Sequence, residues 1–440
     1  MNAIKIKINN LGMIGKSAEF TLSKLMVFSG ESGLGKSYLS IICHYIFAVL
    51  LDEKRISSYF TENGYDFSTL REGYHGSGDA ISISKADFEQ WLSKDAIVWL
   101  GYMIKNKNVK GEIQITLPEN IPSTINMTYE EEISELGNSV ETYLKLNIAN
   151  LTYTIKDSKG INEESPYAYL FRFYLIQEIF GNFRNLHDNF ILPPSRGTML
   201  TETVEPTTGM YVEFKKNIQK LATAKPTKIE VSDQLTNLLK RVLDGQVSRK
   251  DGQYFYFTNE SEMPLSAAAA SVRELASIEF LVENADVSKA AIMIDEPEAH
   301  LHPLKQRMMA DIICCLVLSG AYIQITTHSD YFIRRLNELV MKHQLYEHSK
   351  NNNDNEYNSF CEALDLDPNL SMDPNLISAF LLERNKTNPI SSVVIKQDLT
   401  NGVPFSSFHD AIDESLNLKY QLENKLAELE LKNKLADANN

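Results

Sequence analysis

The chain has 440 residues, enough for two to four domains of roughly 100–200 residues each, and its 43% hydrophobic and 23% charged residues exclude disordered, collagen-like and low-complexity classes. The formal net charge of −15 argues against a surface that coats nucleic acid, so any contact with nucleic acid would be local. Four cysteines, whose spacing fits no zinc site, are too few for a disulfide scaffold and favour a reducing compartment.

The N-terminal part of the chain predicts strands that lead into a helix. Residues 4–8 alternate isoleucine with polar residues, which is typical of a half-buried strand, and residues 19–22 predict a second strand. Residues 25–28 form a short apolar run, as in a buried strand. A mostly apolar helix is predicted from residue 38, closed by the charged residues 52–55.

None of these segments has the features of a targeting or membrane-spanning sequence. The alternation at the N-terminus differs from the continuous apolar run of about 7–15 residues in a signal peptide. The longest apolar stretch, residues 38–51, contains Ser40 and His44 and is shorter than the ~20 residues that a spanning helix needs. We therefore predict a cytoplasmic protein without a membrane partner.

Residues 56–188 are predicted to be an insertion between two parts of one core domain. The segment is rich in glycine near residues 73–78, and strands are predicted at residues 112–116 and 143–155. Between these strands lies an acidic cluster, which we interpret as a solvated surface; it consists of Glu130, Glu131, Glu132 and Glu135.

The core pattern resumes after residue 188. Its predicted strands are residues 190–192, 254–257, 290–294, 322–326, 375–383 and 391–396. Its predicted helices are residues 211–221, 233–243, 266–283, 303–318 and 330–343. The Asn-rich residues 349–358 predict an exposed loop.

Alternating strands and helices predict an α/β core with a mixed sheet. The core would consist of residues 1–55 and 189–410, interrupted by an inserted α+β region. Residues 411–440 are predicted to form a C-terminal helix with Leu422, Leu426 and Leu429 on one face.

One segment matches the phosphate-loop pattern G-x-x-x-x-G-K-[ST] in full, between a predicted strand and a predicted helix. Glycines let backbone N–H groups turn towards phosphate oxygens, and the following helix presents its N-terminal dipole to the same anion. Lys36 would reach the β- and γ-phosphates, and the Ser37 hydroxyl would bind Mg²⁺. The predicted ATP-binding residues here are Gly30, Glu31, Ser32, Gly33, Leu34, Gly35, Lys36, Ser37 and Tyr38.

Two carboxylates follow the apolar strand at residues 290–294. Such groups at the end of a buried strand are costly unless they bind or react. We predict that Asp295 holds magnesium and that Glu296 orients or deprotonates the attacking water. The alternative is a helix N-cap, because Pro297 follows and suits the first position of a helix.

Histidines occur after two of the predicted strands. His328 follows the strand at residues 322–326, and ligands of open α/β sheets lie beyond the carboxyl ends of the strands. We predict that His328 contacts the γ-phosphate or its attacking water; the alternative is a loop histidine with a structural partner. His300 and His302 lack a third ligand nearby, so they are weak evidence for a metal site.

Together these motifs resemble ABC-type ATPases, in the branch shared by OLD-family, RecF-like and related AAA15/AAA21 ATPases. The resemblance rests on residues 294–303 (IDEPEAHLHP) and 326–330 (TTHSD), and on a strand-end segment at residues 192–196 (LPPSR). It covers about residues 1–50 and 188–410. It implies an ATPase that uses ATP and Mg²⁺ in a head-to-tail dimer or a larger homo-oligomer, with a switch histidine at His328.

The resemblance also implies that a signature loop from another copy completes each nucleotide site. The candidate loop is residues 265–274, in which Ser266 and Ser271 would reach the γ-phosphate. Relatives carry Ser-Gly where this chain has Ala270-Ser271, and loss of the glycine restricts backbone approach to phosphate. Slow hydrolysis is the expected consequence. The glutamine of the family's Q-loop has no clear counterpart.

OLD nucleases continue into a Toprim domain, which needs a cluster of carboxylates for two metals. Asp365, Asp367 and Asp373 occur here in a loop-like stretch, so we predict an ATPase without its own nuclease. Similar subunits occur in antiphage systems such as Septu, PARIS and retron-linked modules, which implies a sensor or scaffold for a separately encoded effector such as a nuclease or toxin. A RecF- or SMC-like DNA-repair ATPase and a non-hydrolysing, ATP-bound scaffold stay open.

Overall fold

The computed structural model describes residues 3–65, 81–136, 139–156, 166–202, 205–223, 232–250, 252–352, 355–399, 403 and 406–437. The glycine-rich residues 73–78 lie outside these ranges. The strands are β1 Lys5–Asn9, β2 Ala18–Thr21, β3 Leu25–Gly30, β4 Ile81–Ser84, β5 Glu112–Thr116, β6 Thr124–Leu136, β7 Ser139–Ile148, β8 Leu151–Lys156, β9 Asp188–Leu192, β10 Gln246–Lys250, β11 Gln253–Phe257, β12 Glu262–Pro264, β13 Ala290–Asp295, β14 Tyr322–Thr327, β15 Ile377–Asn385 and β16 Asn388–Lys396.

The helices lie within the same described ranges of the chain. They are α1 Lys36–Leu51, α2 Glu53–Glu62, α3 Lys85–Met103, α4 Pro166–Phe180, α5 Arg196–Thr201, α6 Gly209–Thr223, α7 Asp233–Leu243, α8 Ala270–Asn284, α9 Pro303–Ser319, α10 Asp330–Asn352, α11 Glu356–Ala363 and α12 Ser406–Asp437. None of the helices in the described ranges combines the length and the apolar character that crossing a bilayer requires.

A six-stranded sheet with the order β16-β15-β3-β14-β13-β9 forms the centre of the molecule. The five strands from β15 to β9 run parallel, and β16 pairs antiparallel with β15 at the edge. The strands β3, β13 and β14 are buried at every position, as expected for parallel strands that are covered on both faces. This confirms the predicted α/β class with a mixed sheet.

Two apolar clusters cover the two faces of this sheet. Met26 and Phe28 of β3 point into the cluster that includes α1, β1 and the helices α3 and α4. Their neighbours Leu25 and Val27 point into the cluster that includes α7, α8, α9 and α10. Successive side chains of β3 point to opposite faces because a strand has a period of two residues. The carboxyl edge of the sheet is therefore held between two packed layers.

The predicted insertion contains an antiparallel sheet of its own, with the order β4-β6-β7-β8. The same segment also contains β5, which pairs with β1 of the N-terminal part. Helices α3 and α4 belong to the apolar cluster that covers β3. The division of the chain at residues 56 and 188 stays a prediction. The contacts just described join the predicted insertion to the predicted core.

Several predicted segments were wrong or incomplete, and a helix cap and a turn explain two of the differences. The charged residues close α1 as predicted, because Asp52 is its C-cap, but the side chain of Asp52 also accepts a hydrogen bond from the backbone N–H of Lys54 and so begins α2, which was not predicted. Ala149 adopts a positive φ of 50°, which turns the strand predicted at residues 143–155 into the hairpin β7–β8. The acidic cluster, which lies between these two predicted strands in the sequence, is itself part of a strand, β6.

Two predicted segments in the second half of the chain also differ. The helix predicted at residues 266–283 begins at Ala270, after a short 3₁₀ turn at Leu265–Ala267. The Asn-rich loop predicted at residues 349–358 is mostly helical, because α10 extends to Asn352 and α11 begins at Glu356.

The C-terminal helix α12 begins at Ser406, five residues before the predicted boundary, and is about 48 Å long at 1.5 Å per residue. Every side chain from residue 413 to residue 429 is exposed. The large apolar side chains among them are between 47% and 66% exposed; they are Leu416, Leu418, Tyr420, Leu422, Leu426 and Leu429. We expect a helix with so much apolar surface in water to contact another chain.

We predict that α12 holds copies of the chain together. Replacing Leu422, Leu426 and Leu429 together by lysine should lower the mass of the particle in solution, because charges would replace the apolar contact surface. Sedimentation or light scattering measures this mass. The matched control replaces three exposed leucines on other elements, namely Leu304, Leu318 and Leu364. An unchanged mass in the α12 variant would remove this role.

Candidate functional site

The predicted phosphate loop connects the carboxyl end of β3 to the start of α1. Gly30 has a φ of 124°, and a Cβ atom there would lie 2.2 Å from the carbonyl oxygen of Leu382. Gly33 and Gly35 also have positive φ angles, and Gly35 directly precedes α1. Glycine is therefore required for the shape of the loop as well as for its openness to an anion.

Lys36 folds back across this loop. Its Nζ atom donates to the carbonyl oxygen of Gly30 at 3.1 Å and to that of Glu31 at 2.7 Å. Burial lowers the pKa of Lys36 to about 8, while the nearby carboxylates of Glu296 and Asp295 partly oppose the shift. A buried ammonium group of this kind gains stability when an anion enters the loop.

Asp295, at the end of β13, lies against the start of α1. The hydroxyl of Ser37 donates to Oδ1 and Oδ2 of Asp295 at 3.1 and 3.0 Å, and Thr326 on β14 donates to Oδ1. Burial raises the pKa of Asp295, against the effect of these hydrogen bonds. A hydroxyl and a carboxylate at this distance are hard oxygen ligands, so the pair fits the predicted magnesium site.

Glu296 and His328 meet beside the loop. Oε1 of Glu296 lies 3.4 Å from Nε2 of His328, and Nδ1 of the same ring lies 3.4 Å from Nζ of Lys36. Because the ammonium group donates to Nδ1, Nε2 carries the proton and donates to Glu296. This hydrogen bond lowers the pKa of Glu296, despite partial burial. Ser32 completes the group, with its Oγ atom 3.5 Å from Nε2.

The backbone of Glu296 has a φ of 52°, in the left-handed region that non-glycine residues adopt at a cost. This conformation turns the chain directly after Asp295. As a result, the Asp295 carboxylate contacts Ser37 while the next carboxylate, that of Glu296, contacts His328. Pro297 does not continue into a helix, since α9 begins at Pro303 with His302 as its N-cap. The N-cap alternative for Asp295 and Glu296 was therefore wrong.

The comparison with known protein families agrees with this arrangement. A family model described as AAA ATPase domain (AAA_15) matches residues 1–333. The chain belongs to the AAA ATPase domain family. The match includes the phosphate loop, Asp295, Glu296 and His328, and it ends before β15 and β16. No curated protein sequence matches the chain.

Three solved structures are similar to this AAA ATPase at 10% sequence identity. An SMC head bound to the C-winged helix domain of ScpA covers 91% of this chain and 98% of its own, with a TM-score of 0.37. The SMC head domain from Thermotoga maritima covers 90% and 100%, with a TM-score of 0.32. An Smc head domain with an extended coiled coil, bound to the C-terminal domain of ScpA derived from Pyrococcus furiosus, covers 94% and 98%, with a TM-score of 0.37.

Glu298 fixes the loop of this AAA ATPase that carries His328, a role that sequence reasoning missed. Its Oε1 atom accepts hydrogen bonds from Oγ1 of Thr327 and from the backbone N–H of His328, both at 2.7 Å. The side chain is buried, and burial raises its pKa. The sequence offered one signal, a third carboxylate two positions after Glu296.

Arg196, also missed as a site residue, connects the end of β13 to α8. Its guanidinium group is fully buried. Nη1 donates to the carbonyl oxygen of Asp295 at 3.4 Å. Nε donates to the carbonyl oxygen of Glu274 at 3.2 Å and to Oγ of Ser277 at 3.0 Å. Burial lowers the pKa of Arg196, and the Glu274 carboxylate, 3.8 Å away, opposes this shift. The contact links the predicted metal ligand to the helix that begins within the candidate signature loop.

The other predicted site residues lie around this centre. Tyr38 is partly buried, with its ring against Gly12, and the carbonyl oxygen of Leu34 accepts a hydrogen bond from Ser392 at 2.7 Å. Ser266 is exposed in the 3₁₀ turn, and Ser271 is half-buried in the first turn of α8. Within the described part of the chain, neither serine is hydrogen-bonded to the phosphate loop, so their role in another copy's site stays a prediction.

We predict that Glu298→Ala lowers the free energy of unfolding by about 2 kcal/mol, because it leaves two buried donors without an acceptor. Chemical denaturation measures this loss. The control is Glu296→Ala on the same loop, where the carboxylate is partly exposed and the change should stay within about 0.5 kcal/mol. Equal losses in both variants would contradict the positioning role of Glu298.

Proposed function

We propose that this AAA ATPase binds ATP with Mg²⁺ at the carboxyl edge of its central sheet and hydrolyses it slowly. The observation that supports the proposal is the meeting of Lys36, Ser37, Asp295, Glu296 and His328, which come from three separate parts of the chain. Their chemistry matches what phosphoryl transfer requires: a cation at the phosphates, oxygen ligands for a metal, and a carboxylate for water.

The residues act in distinct ways in the proposed reaction. Lys36 binds the terminal phosphates, while the backbone N–H groups of the loop and the start of α1 bind the inner phosphate oxygens. Ser37 and Asp295 would hold Mg²⁺, which neutralises charge on the phosphates when it is bound. Glu296 orients the attacking water, and His328 holds the Glu296 carboxylate through its Nε2 proton.

The pKa of Glu296 supports slow turnover. His328 keeps this pKa below its usual range, so the carboxylate is ionised at neutral pH but is a weak base. Orienting water is therefore its main contribution. The candidate signature loop also favours slow turnover, because Ala270-Ser271 stands where relatives carry Ser-Gly and loss of the glycine restricts backbone approach to phosphate. The altered signature loop also favours the second candidate function, a scaffold that binds ATP without hydrolysing it.

We infer that ATP controls assembly. Ser266 and Ser271 of one copy would complete the nucleotide site of another, and α12 would add a second contact between copies. Arg196 joins Asp295 to α8 within each copy, so binding at one site is communicated to the loop offered to the neighbour. By resemblance to OLD-family ATPases without a Toprim domain, the assembly would hold or release a separately encoded nuclease or toxin in antiphage defence.

We predict that Lys36→Ala weakens ATP binding by about 100-fold or more, because it removes a positive charge and its donors from the phosphates. Titration calorimetry measures the affinity. Lys94→Ala, which removes an exposed lysine on α3, is the control and should bind as the wild type does. Unchanged affinity in the Lys36 variant would refute the site.

We predict that Glu296→Gln keeps ATP affinity within about 3-fold but lowers turnover by about 100-fold or more, because an amide neither orients water in the same way nor accepts a proton. Phosphate release measures turnover, with the exposed Glu260→Gln as control. The variant should also form the larger assembly when ATP is added. Wild-type turnover in this variant would exclude Glu296, and a wild type without turnover would favour the scaffold.

A further inference from the structure

The C-terminal hairpin β15–β16 delivers a charged residue to the phosphate loop. Strand β15 runs parallel to β3, and the last pair in their register is Leu382 with Gly30. Because parallel strands end at the same edge of a sheet, the chain beyond Leu382 emerges beside the loop that begins at Gly30. Arg384 is the second residue beyond this pair. It lies outside residues 1–333, which the AAA ATPase domain covers.

Arg384 contacts the loop through an ion pair. Its Nε atom donates to Oε2 of Glu31 at 2.9 Å, and the two side chains are 57% and 58% exposed. An ion pair this exposed contributes little to folding stability. Any role of the Arg384–Glu31 ion pair in nucleotide binding therefore depends on its position next to the phosphate loop.

Glu31 places a negative charge where the proposed ligand is also negative. Its carbonyl oxygen accepts a hydrogen bond from Nζ of Lys36 at 2.7 Å, so the residue is part of the loop that would surround the phosphates. A free carboxylate there repels a polyphosphate. The guanidinium group of Arg384 cancels that charge without occupying the loop, because it approaches from the neighbouring strand.

We propose that Arg384 is a positioning residue of the nucleotide site, which neutralises Glu31 and thereby raises the affinity of the phosphate loop for nucleoside triphosphates. The inference rests on the proposed function, since it requires phosphates in the loop. Repulsion grows with the charge of the ligand, so Arg384 favours ATP over ADP. The C-terminal hairpin thus takes part in nucleotide binding although it lies far from the phosphate loop in sequence.

A double-mutant cycle tests this proposal in the full-length chain. ATP and ADP affinities are measured by titration calorimetry for the wild type, Arg384→Ala, Glu31→Gln and the double variant, at about 0.05 M and about 0.5 M salt. Arg384→Lys serves as the conservative variant. Lys386→Ala removes an exposed positive charge from the turn of the same hairpin and is the matched control.

Arg384→Ala should weaken ATP binding about tenfold at low salt and ADP binding by less, and the loss should shrink at high salt. Arg384→Lys and Lys386→Ala should bind as the wild type does. The double variant should return to within about 3-fold of Glu31→Gln. Unchanged affinity in Arg384→Ala, or a full tenfold loss that persists in the Glu31→Gln background, would overturn the proposal. A wild type that binds no ATP would overturn the proposed function itself, and the inference with it.

Discussion

The parallel register of β3, β14 and β13 is the constraint on which the candidate site depends. Thr326 on β14 pairs with Phe28 on one side and with Asp295 on the other, so the three strands end together. This alignment lets the hydroxyl of Ser37 reach a carboxylate 258 positions further along the chain. Packing on both faces of the sheet keeps the strands in register, and apolar burial thereby sets the distances between the polar groups beyond them.

These polar groups are close enough to influence one another. Burial raises the pKa values of Asp295 and Glu298 and lowers that of Lys36, so each ionised group is less stable there than in water. Hydrogen bonds from Ser37, Thr326 and Thr327 compensate part of this cost. Such a site favours ligands of opposite charge, and we propose phosphates at the lysine and a divalent cation at the aspartate.

The sequence predicted those parts of the site whose signal is local. The phosphate loop, the strand before Asp295 and the strand before His328 each have a pattern within about ten residues. The positions of Arg196 and Arg384 were not predictable in this way, because their contacts join segments 99 and 353 positions apart. The start of α2 was missed for a related reason, since one side-chain hydrogen bond lets Asp52, which caps the end of α1, also begin the next helix.

We propose above all that one nucleotide binds between the phosphate loop and the end of β13. A structure of the wild-type chain with Mg²⁺ and a non-hydrolysable ATP analogue tests it most directly. We expect a triphosphate within hydrogen-bond distance of Nζ of Lys36, with the metal bound between Oγ of Ser37 and the carboxylate of Asp295. A nucleotide bound elsewhere, or an empty loop at saturating analogue, would contradict it.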